Sequence, residues 1–285
     1  MNTRLIFIFV YVKISLIGSI CGQQIIIFNP SNDNLLLNPA TNNTAAYSSA
    51  SPSLSFNLRS RTGVLSDVRD VYFDAATPLK DHHIIGVQAY SEQETPLFTK
   101  SKAAIQYAYR QKINNTLDIT LGTSIGLASM SFKSTGAGIG GSDNVFDMAV
   151  SGHVTHNKNS RFGISLMQLS SPTIQPLAYK FELARYLDAF LSHFWNLTAK
   201  WKLEAGINAK FNGNFSLWSI NTKTSYNDRF GLLLSSGRIT TFAVGAYANV
   251  YKFNKHQVSI AGSFTNAYYA NIPNSSAFQL NVSVH

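Results

Sequence analysis

The sequence predicts an all-β protein, specifically a transmembrane antiparallel up-and-down β-barrel of about 14 strands with an N-terminal segment in or against the lumen. Three observations carry that expectation. Apolar residues alternate with polar ones at period two through most of the chain, the mark of strands with one buried or lipid-facing side. Several of these runs reach the ~9–11 residues a tilted membrane strand needs, whereas sandwich strands average ~5–6. The third is composition: of 285 residues 45% are hydrophobic, 12% aromatic and only 13% charged, about half the usual charged share. So much apolar content excludes a disordered tail. A bundle of membrane helices is excluded too, because no stretch after residue 20 offers ~18 consecutive apolar residues.

The chain opens with Arg4, then an apolar run interrupted by Lys13, then Ser19-Ile20-Cys21-Gly22. This predicts a secretory signal peptide over residues 1–22. Lys13 argues against a permanent anchor, since a Lys in mid-bilayer costs roughly 3 kcal/mol. Cys21 raises lipidation, but Ile20 stands where a small residue is wanted. Cys21 is the single cysteine, so no intrachain disulfide forms.

Residues 23–52 are rich in Asn, Ser, Pro and Ala and carry Ile25-Ile26-Ile27-Phe28 and Leu35-Leu36-Leu37. They are too apolar for a free tail and are expected to form a plug or a periplasmic cap. The barrel then occupies 53–285. Its strands are expected at roughly 53–59, 69–76, 83–91, 102–110, 116–128, 145–155, 160–169, 179–187, 196–211, 214–222, 228–235, 240–250, 256–265 and 277–284. The cleanest run is Leu197, Ala199, Trp201, Leu203, Ala205, Ile207, Ala209 and Phe211 against Thr198, Lys200, Lys202, Glu204, Gly206, Asn208 and Lys210. Leu203 and Ile207 should face lipid, and Lys202 and Asn208 the lumen. Leu117 to Leu127 repeats the pattern. With the N-terminus in the periplasm, links should alternate short and long. Links 111–115, 156–159 and 251–255 read as short, and 91–101, 129–144, 170–178 and 266–276 as long. Asn212-Gly213, a two-residue turn signal, and Ser236-Gly237-Arg238 break the alternation.

The formal charge is +9, and removing Arg4 and Lys13 with the signal leaves +7. The basic residues are scattered singly, without the clustered stripe of a nucleic-acid binder, so no nucleic-acid partner is expected. Gly136-Ala137-Gly138-Ile139-Gly140-Gly141 matches a dinucleotide-binding pattern, but no helix follows it, so it reads as an external loop. His82, His83, His153, His156 and His193 have no carboxylate or thiol at metal-ligand spacing, and His153 and His156 read as solvated. The close acidic pairs Asp67/Asp70 and Glu92/Glu94 likewise read as solvated strand-end charges. No nucleophile, base or oxyanion motif stands out. We therefore expect no enzyme, and no catalytic, cofactor-binding or metal-binding residues. Sequons at Asn42, Asn114, Asn196, Asn214, Asn274 and Asn281 follow from an Asn/Ser/Thr-rich composition.

Five motifs in order carry a family likeness: Ile27-Phe28-Asn29-Pro30 with Leu37-Asn38-Pro39-Ala40, then Leu54 to Arg61, Thr77-Pro78-Leu79, His83 to Val87, and Ala104 to Arg110 running on to Leu117–Leu127. Together they resemble the PorP/SprF family, Bacteroidota outer-membrane proteins of type IX secretion and gliding motility. The resemblance covers residues 24–128 by motif and the rest by β pattern. It departs at Ser91–Thr99, which keeps only acidity and Pro of the family's Asp- and Gly-rich turn, while the chain closes on His285 where outer-membrane barrels commonly carry an aromatic residue. The resemblance implies a non-enzymatic outer-membrane component that helps export, anchor or display large secreted adhesins. Its implied partners are outer-membrane lipid, those secreted surface proteins and periplasmic type IX secretion components. Long external loops would engage cargo, and a lumen lined by Lys200, Lys202, Glu204 and Lys210 would hold the N-terminal segment. Two other classes compete: a diffusion porin with slight anion preference from a positive interior, and a secreted soluble β-sandwich adhesin.

Overall fold

Alternation in the sequence becomes alternation in burial. Along β2 (Arg69–Pro78), Asp70, Tyr72, Asp74 and Ala76 are buried while Val71 is exposed. Along β11 (Trp201–Asn212), Glu204, Asn208 and Lys210 are buried while Trp201, Ile207 and Phe211 are exposed. In a soluble sandwich the apolar side would be the hidden one. Here it is reversed, as lipid demands.

The computed structural model describes residues 52–62, 69–79, 82–95, 97–134, 140–177, 180–212, 215–237, 240–253, 256–269 and 272–284. The expected signal peptide, and all of the expected N-terminal segment but Pro52, lie outside them. Fourteen strands form one closed antiparallel barrel in which each pairs with its neighbour in sequence order. They are β1 (Ser53–Thr62), β2, β3 (His83–Thr95), β4 (Phe98–Lys112), β5 (Leu117–Phe132), β6 (Gly141–His156), β7 (Ser160–Met167), β10 (Tyr186–Asn196), β11, β12 (Phe215–Tyr226), β13 (Phe230–Gly237), β14 (Thr240–Phe253), β15 (His256–Tyr269) and β16 (Ile272–Val284). β1 and β16 pair from Leu54 with Val284 to Thr62 with Ser276, which closes the ring. A small hairpin, β8 (Thr173–Ile174) with β9 (Phe181–Glu182), stands apart from it. Closure removes every sheet edge that lipid would otherwise meet. It also rules out the β-sandwich.

The outer face carries an apolar belt that includes Leu58, Val87, Ile105, Leu121, Ile125, Val150, Ile164, Leu191, Ile207, Ile220, Leu234, Val244, Ile260 and Leu280, all exposed. Tyr107, Tyr109, Trp195, Trp201, Phe230 and Tyr251 border it at the end where the chain termini lie, an aromatic girdle. His83 Nδ1 contacts the Tyr107 hydroxyl at 2.8 Å, and Trp201 packs on Tyr226 at 5.0 Å between ring centroids. At the opposite end the outward positions of β5 and β6 turn polar, with Ser129, Ser131, Ser142 and Asn144.

The turns at the terminal end are short, as expected. Residues 157–159 and 227–229 each reverse the chain with two positive-φ residues, Asn157 (51°) and Lys158 (60°), and Asn227 (51°) and Asp228 (54°). Those angles match the right-handed twist of the flanking strands. At the far end the expected alternation fails. β3 and β4 run almost into each other across residues 96–97, and β15 and β16 across 270–271, so the expected long links 91–101 and 266–276 are mostly strand. Long connections remain at 63–68, 133–140 and 168–185. The eighth barrel strand also differs: expected at 179–187, it runs Tyr186–Asn196, and β11 starts only at Trp201. Leu197 and Ala199 fit the alternation but lie in a turn, which Thr198 Oγ1 closes by accepting from the amides of Lys200 (3.2 Å) and Trp201 (3.0 Å).

Candidate functional site: the barrel lumen and its inserted hairpin

Because polar residues occupy the inward positions, the lumen collects the chain's buried charge. Five cations (Arg59, Lys100, Lys102, Arg161, Lys210) and six carboxylates (Asp70, Asp74, Glu92, Asp147, Asp188, Glu204) are buried among the described residues. The interior is therefore close to balanced. The expected positive lumen is not what these side chains present. Of the residues expected to line it, Glu204 and Lys210 do so, Lys202 sits at the rim paired with Asp228 (2.6 Å), and Lys200 is exposed in a turn.

Buried charges require partners, because an isolated ion in a low-dielectric interior costs several kcal/mol. Arg59 on β1 bonds Asp70 on β2 at 2.6 Å and reaches Glu92 on β3 at 3.5 Å. Lys102 on β4 pairs with Asp147 on β6, passing over β5. Arg161 on β7 pairs with Glu204 on β11, passing over β10. Lys210 lies 3.9 Å from Asp188 and 5.4 Å above the Tyr186 ring. Each tie spans a neighbouring strand or links adjacent ones, so together they brace the inner wall. Asp70 and Glu92 are buried members of this network, not solvated strand ends as expected.

Between the ionic ties runs a neutral polar ladder. Gln106 Nε2 donates to Gln88 Oε1 (3.3 Å), and Gln88 Nε2 donates to the Tyr72 hydroxyl (3.0 Å). His153 is buried as well, contrary to its expected solvation, and stacks on Phe190 at 5.6 Å. Phe190 packs against Gly163, where a Cβ would come within 2.0 Å of the ring. The sequence hid this because a histidine near a turn is usually wet. Here the inward position of β6 and the ring from β10 cover it. His156, four positions from the start of β7, is exposed as expected.

The long connection from β7 to β10 folds inward at the end opposite the termini. Ile174 of β8 and Leu183 are buried against Ala128 and Met130 of β5, with Phe98, Val145 and Phe181 packed around them. The segment is pinned to the top of β6: Leu169 N donates to Met148 O (2.9 Å), Ser170 Oγ to Phe146 O (3.1 Å) and Gln175 N to Asp143 Oδ2 (2.6 Å). Gly141 is required where they meet, since a Cβ there would lie 2.0 Å from the Pro176 carbonyl oxygen. The expected loop glycines 136–139 lie outside the described residues, while Gly141 opens β6. Beneath the hairpin a cavity of about 30 Å³ is lined by Tyr90, Lys102, Met130, Asp147, Ile174 and Tyr186, room for one or two waters. Sequence reading missed the hairpin. Its signal was the loss of period two between Gln168 and Arg185, with Pro172 and Pro176 inside.

A closed fourteen-stranded barrel with an apolar outer belt, an aromatic girdle and a polar, ion-paired interior is an outer-membrane barrel. Solved structures with this fold include a Pseudomonas aeruginosa FadL homologue (TM-score 0.56, 9% identity, covering 90% of this chain and 94% of that one). Two others are the Ralstonia pickettii toluene transporter TbuX (TM-score 0.55, 10% identity, 87% and 91%) and the Pseudomonas putida toluene transporter TodX (TM-score 0.51, 12% identity, 89% and 92%). At such identities the likeness concerns the fold. No curated protein matches the sequence. The family of type IX secretion system membrane proteins PorP/SprF matches residues 22–284, and this chain belongs to it.

Proposed function

We propose that the protein is a non-enzymatic outer-membrane component of type IX secretion that assists the export, anchoring or surface display of large secreted adhesins. The observation that carries the reading is the family match across residues 22–284. The lumen supports it: most of its buried charges are paired with one another, and an inserted hairpin packs at its far end. A diffusion porin needs a wide, unobstructed and solvated lining. We read residues 1–22 as a cleaved signal peptide and residues 23–52 as a plug or periplasmic cap. The partners in this reading are secreted surface proteins and periplasmic secretion components of a Bacteroidota cell.

Deletion of the gene tests this. Loss or mislocalisation of at least one large surface protein is expected, with antibiotic and sugar permeability nearly unchanged. Deleting only Asn29–Ala40 should give the same surface defect. An unaltered surface proteome, together with a large steady conductance of the purified barrel in planar bilayers, would favour the porin and sink the secretion reading.

A further inference from the structure

We infer that the terminal-end rim of the barrel is a binding surface for anionic phospholipid headgroups. Among the described residues Arg110, Lys112, Lys158, Lys200, Lys202 and Arg229 lie in or beside the turns at that end. Two carboxylates lie there among the described residues, and both are already engaged, Asp118 by Arg110 and Asp228 by Lys202. Lys112, Lys158, Lys200 and Arg229 are exposed and have no ion-pair partner among the described residues.

Their positions name the occupant. Lys112 precedes Ile113 (53% exposed), Lys200 precedes Trp201 (45%) and Arg229 precedes Phe230 (52%), and Leu197 shares the turn of Lys200. Each of the three cations thus adjoins an apolar side chain at or just beyond the girdle. Aromatic rings settle at the headgroup boundary of a bilayer, and cations next to them reach the phosphate level. The four sit in or at the edge of the β4–β5, β6–β7, β10–β11 and β12–β13 turns and are therefore spread along the rim. A protein partner with an acidic face would be met by a compact patch instead. At the opposite end Arg69, Lys133, Lys180 and Arg185 are exposed, and Lys133 stands beyond the polar outward positions Ser129 and Ser131, away from the apolar belt. This inference holds whether or not the protein serves secretion.

The test reconstitutes the full-length protein in vesicles of phosphatidylcholine mixed with phosphatidylglycerol, extracts it gently, and measures retained lipid by native mass spectrometry. Enrichment of phosphatidylglycerol over its bulk fraction is expected, falling as ionic strength rises. The K112Q/K158Q/K200Q/R229Q variant should lose roughly fivefold or more of that preference, from the attraction of each basic residue to an anionic surface. K133Q/K180Q should keep it. Heat-dependent mobility on detergent gels shows that each variant is a folded barrel, and each quadruple-variant residue can be reverted singly if it is not. Equal retention of the two lipids by the wild type, or an undiminished preference in the quadruple variant, overturns the inference. So does an equal loss in K133Q/K180Q, which would mean net charge and not this rim.

Discussion

Arg59 and Asp70 face each other in register across β1 and β2, and Arg59 Nε donates to Asp70 Oδ2 at 2.6 Å inside the lumen. The basic residue of the first strand, part of the pattern by which the sequence resembles its family, is thus an internal tie that also reaches Glu92. Removing one member leaves the others buried without it. Arg59→Ala should cost about 3–5 kcal/mol, read as a lowered urea midpoint for refolded barrel in lipid vesicles. The joint change Arg59→Met, Asp70→Leu, Glu92→Leu should recover most of the loss. A single variant as stable as the wild type would show that the tie carries no stability.

The outward and inward faces of β11 should both resist the same substitution, for different physical reasons. Ile207 is half exposed to lipid near the middle of its strand, so Ile207→Arg should destabilise by ~2–4 kcal/mol. In a wide wet lumen Asn208→Arg would be tolerated, but Asn208 is only 5% exposed. Overpacking at such a site should cost ~1–3 kcal/mol, and vesicle unfolding of both variants checks the pair.

Gly141→Ala places a methyl group against backbone, which cannot swing aside as a side-chain tip can. The hairpin or the top of β6 must move, at about 1–3 kcal/mol. Limited proteolysis of intact cells or proteoliposomes should then cut within 168–185 faster than in the wild type, while heat-dependent gel mobility is unchanged.

Ile174 and Leu183 anchor the hairpin in an apolar cluster. Ile174→Asp with Leu183→Asp would bury two unpaired charges, so the hairpin should leave the barrel end instead. Planar-bilayer conductance should rise from near zero to discrete steps. An unchanged trace would mean that other groups obstruct the lumen.

Asn157→Gly in the β6–β7 turn should be nearly neutral, because Asn already tolerates φ of 51°, whereas Asn157→Val should slow refolding and cost about 1–2 kcal/mol. Refolding kinetics into detergent micelles measure both.

Strand character, the count of fourteen and the direction each side chain faces were legible in the sequence, because period two is a local property of extended backbone and needs no partner. Leu121, Ile125 and Ile207 face lipid as their spacing requires, and Asn208 and Lys210 face inward. Strand ends were less legible. Leu197 and Ala199 continue the alternation into a turn that Thr198 closes, and the residues past Ser91 stay in strand although their composition is that of a loop. Which inward charges meet was decided only by the tertiary structure. Lys102 and Asp147 are 45 positions apart, Arg161 and Glu204 are 43 apart, and no local pattern links them. Strand order and register bring them together across an intervening strand. Once they meet in a buried interior, the cost of desolvating a lone charge favours pairing. The same reason buries His153, Asp70 and Glu92, whose sequence neighbourhoods suggest solvent: exposure belongs to the closed sheet and its inserted hairpin, not to the residue.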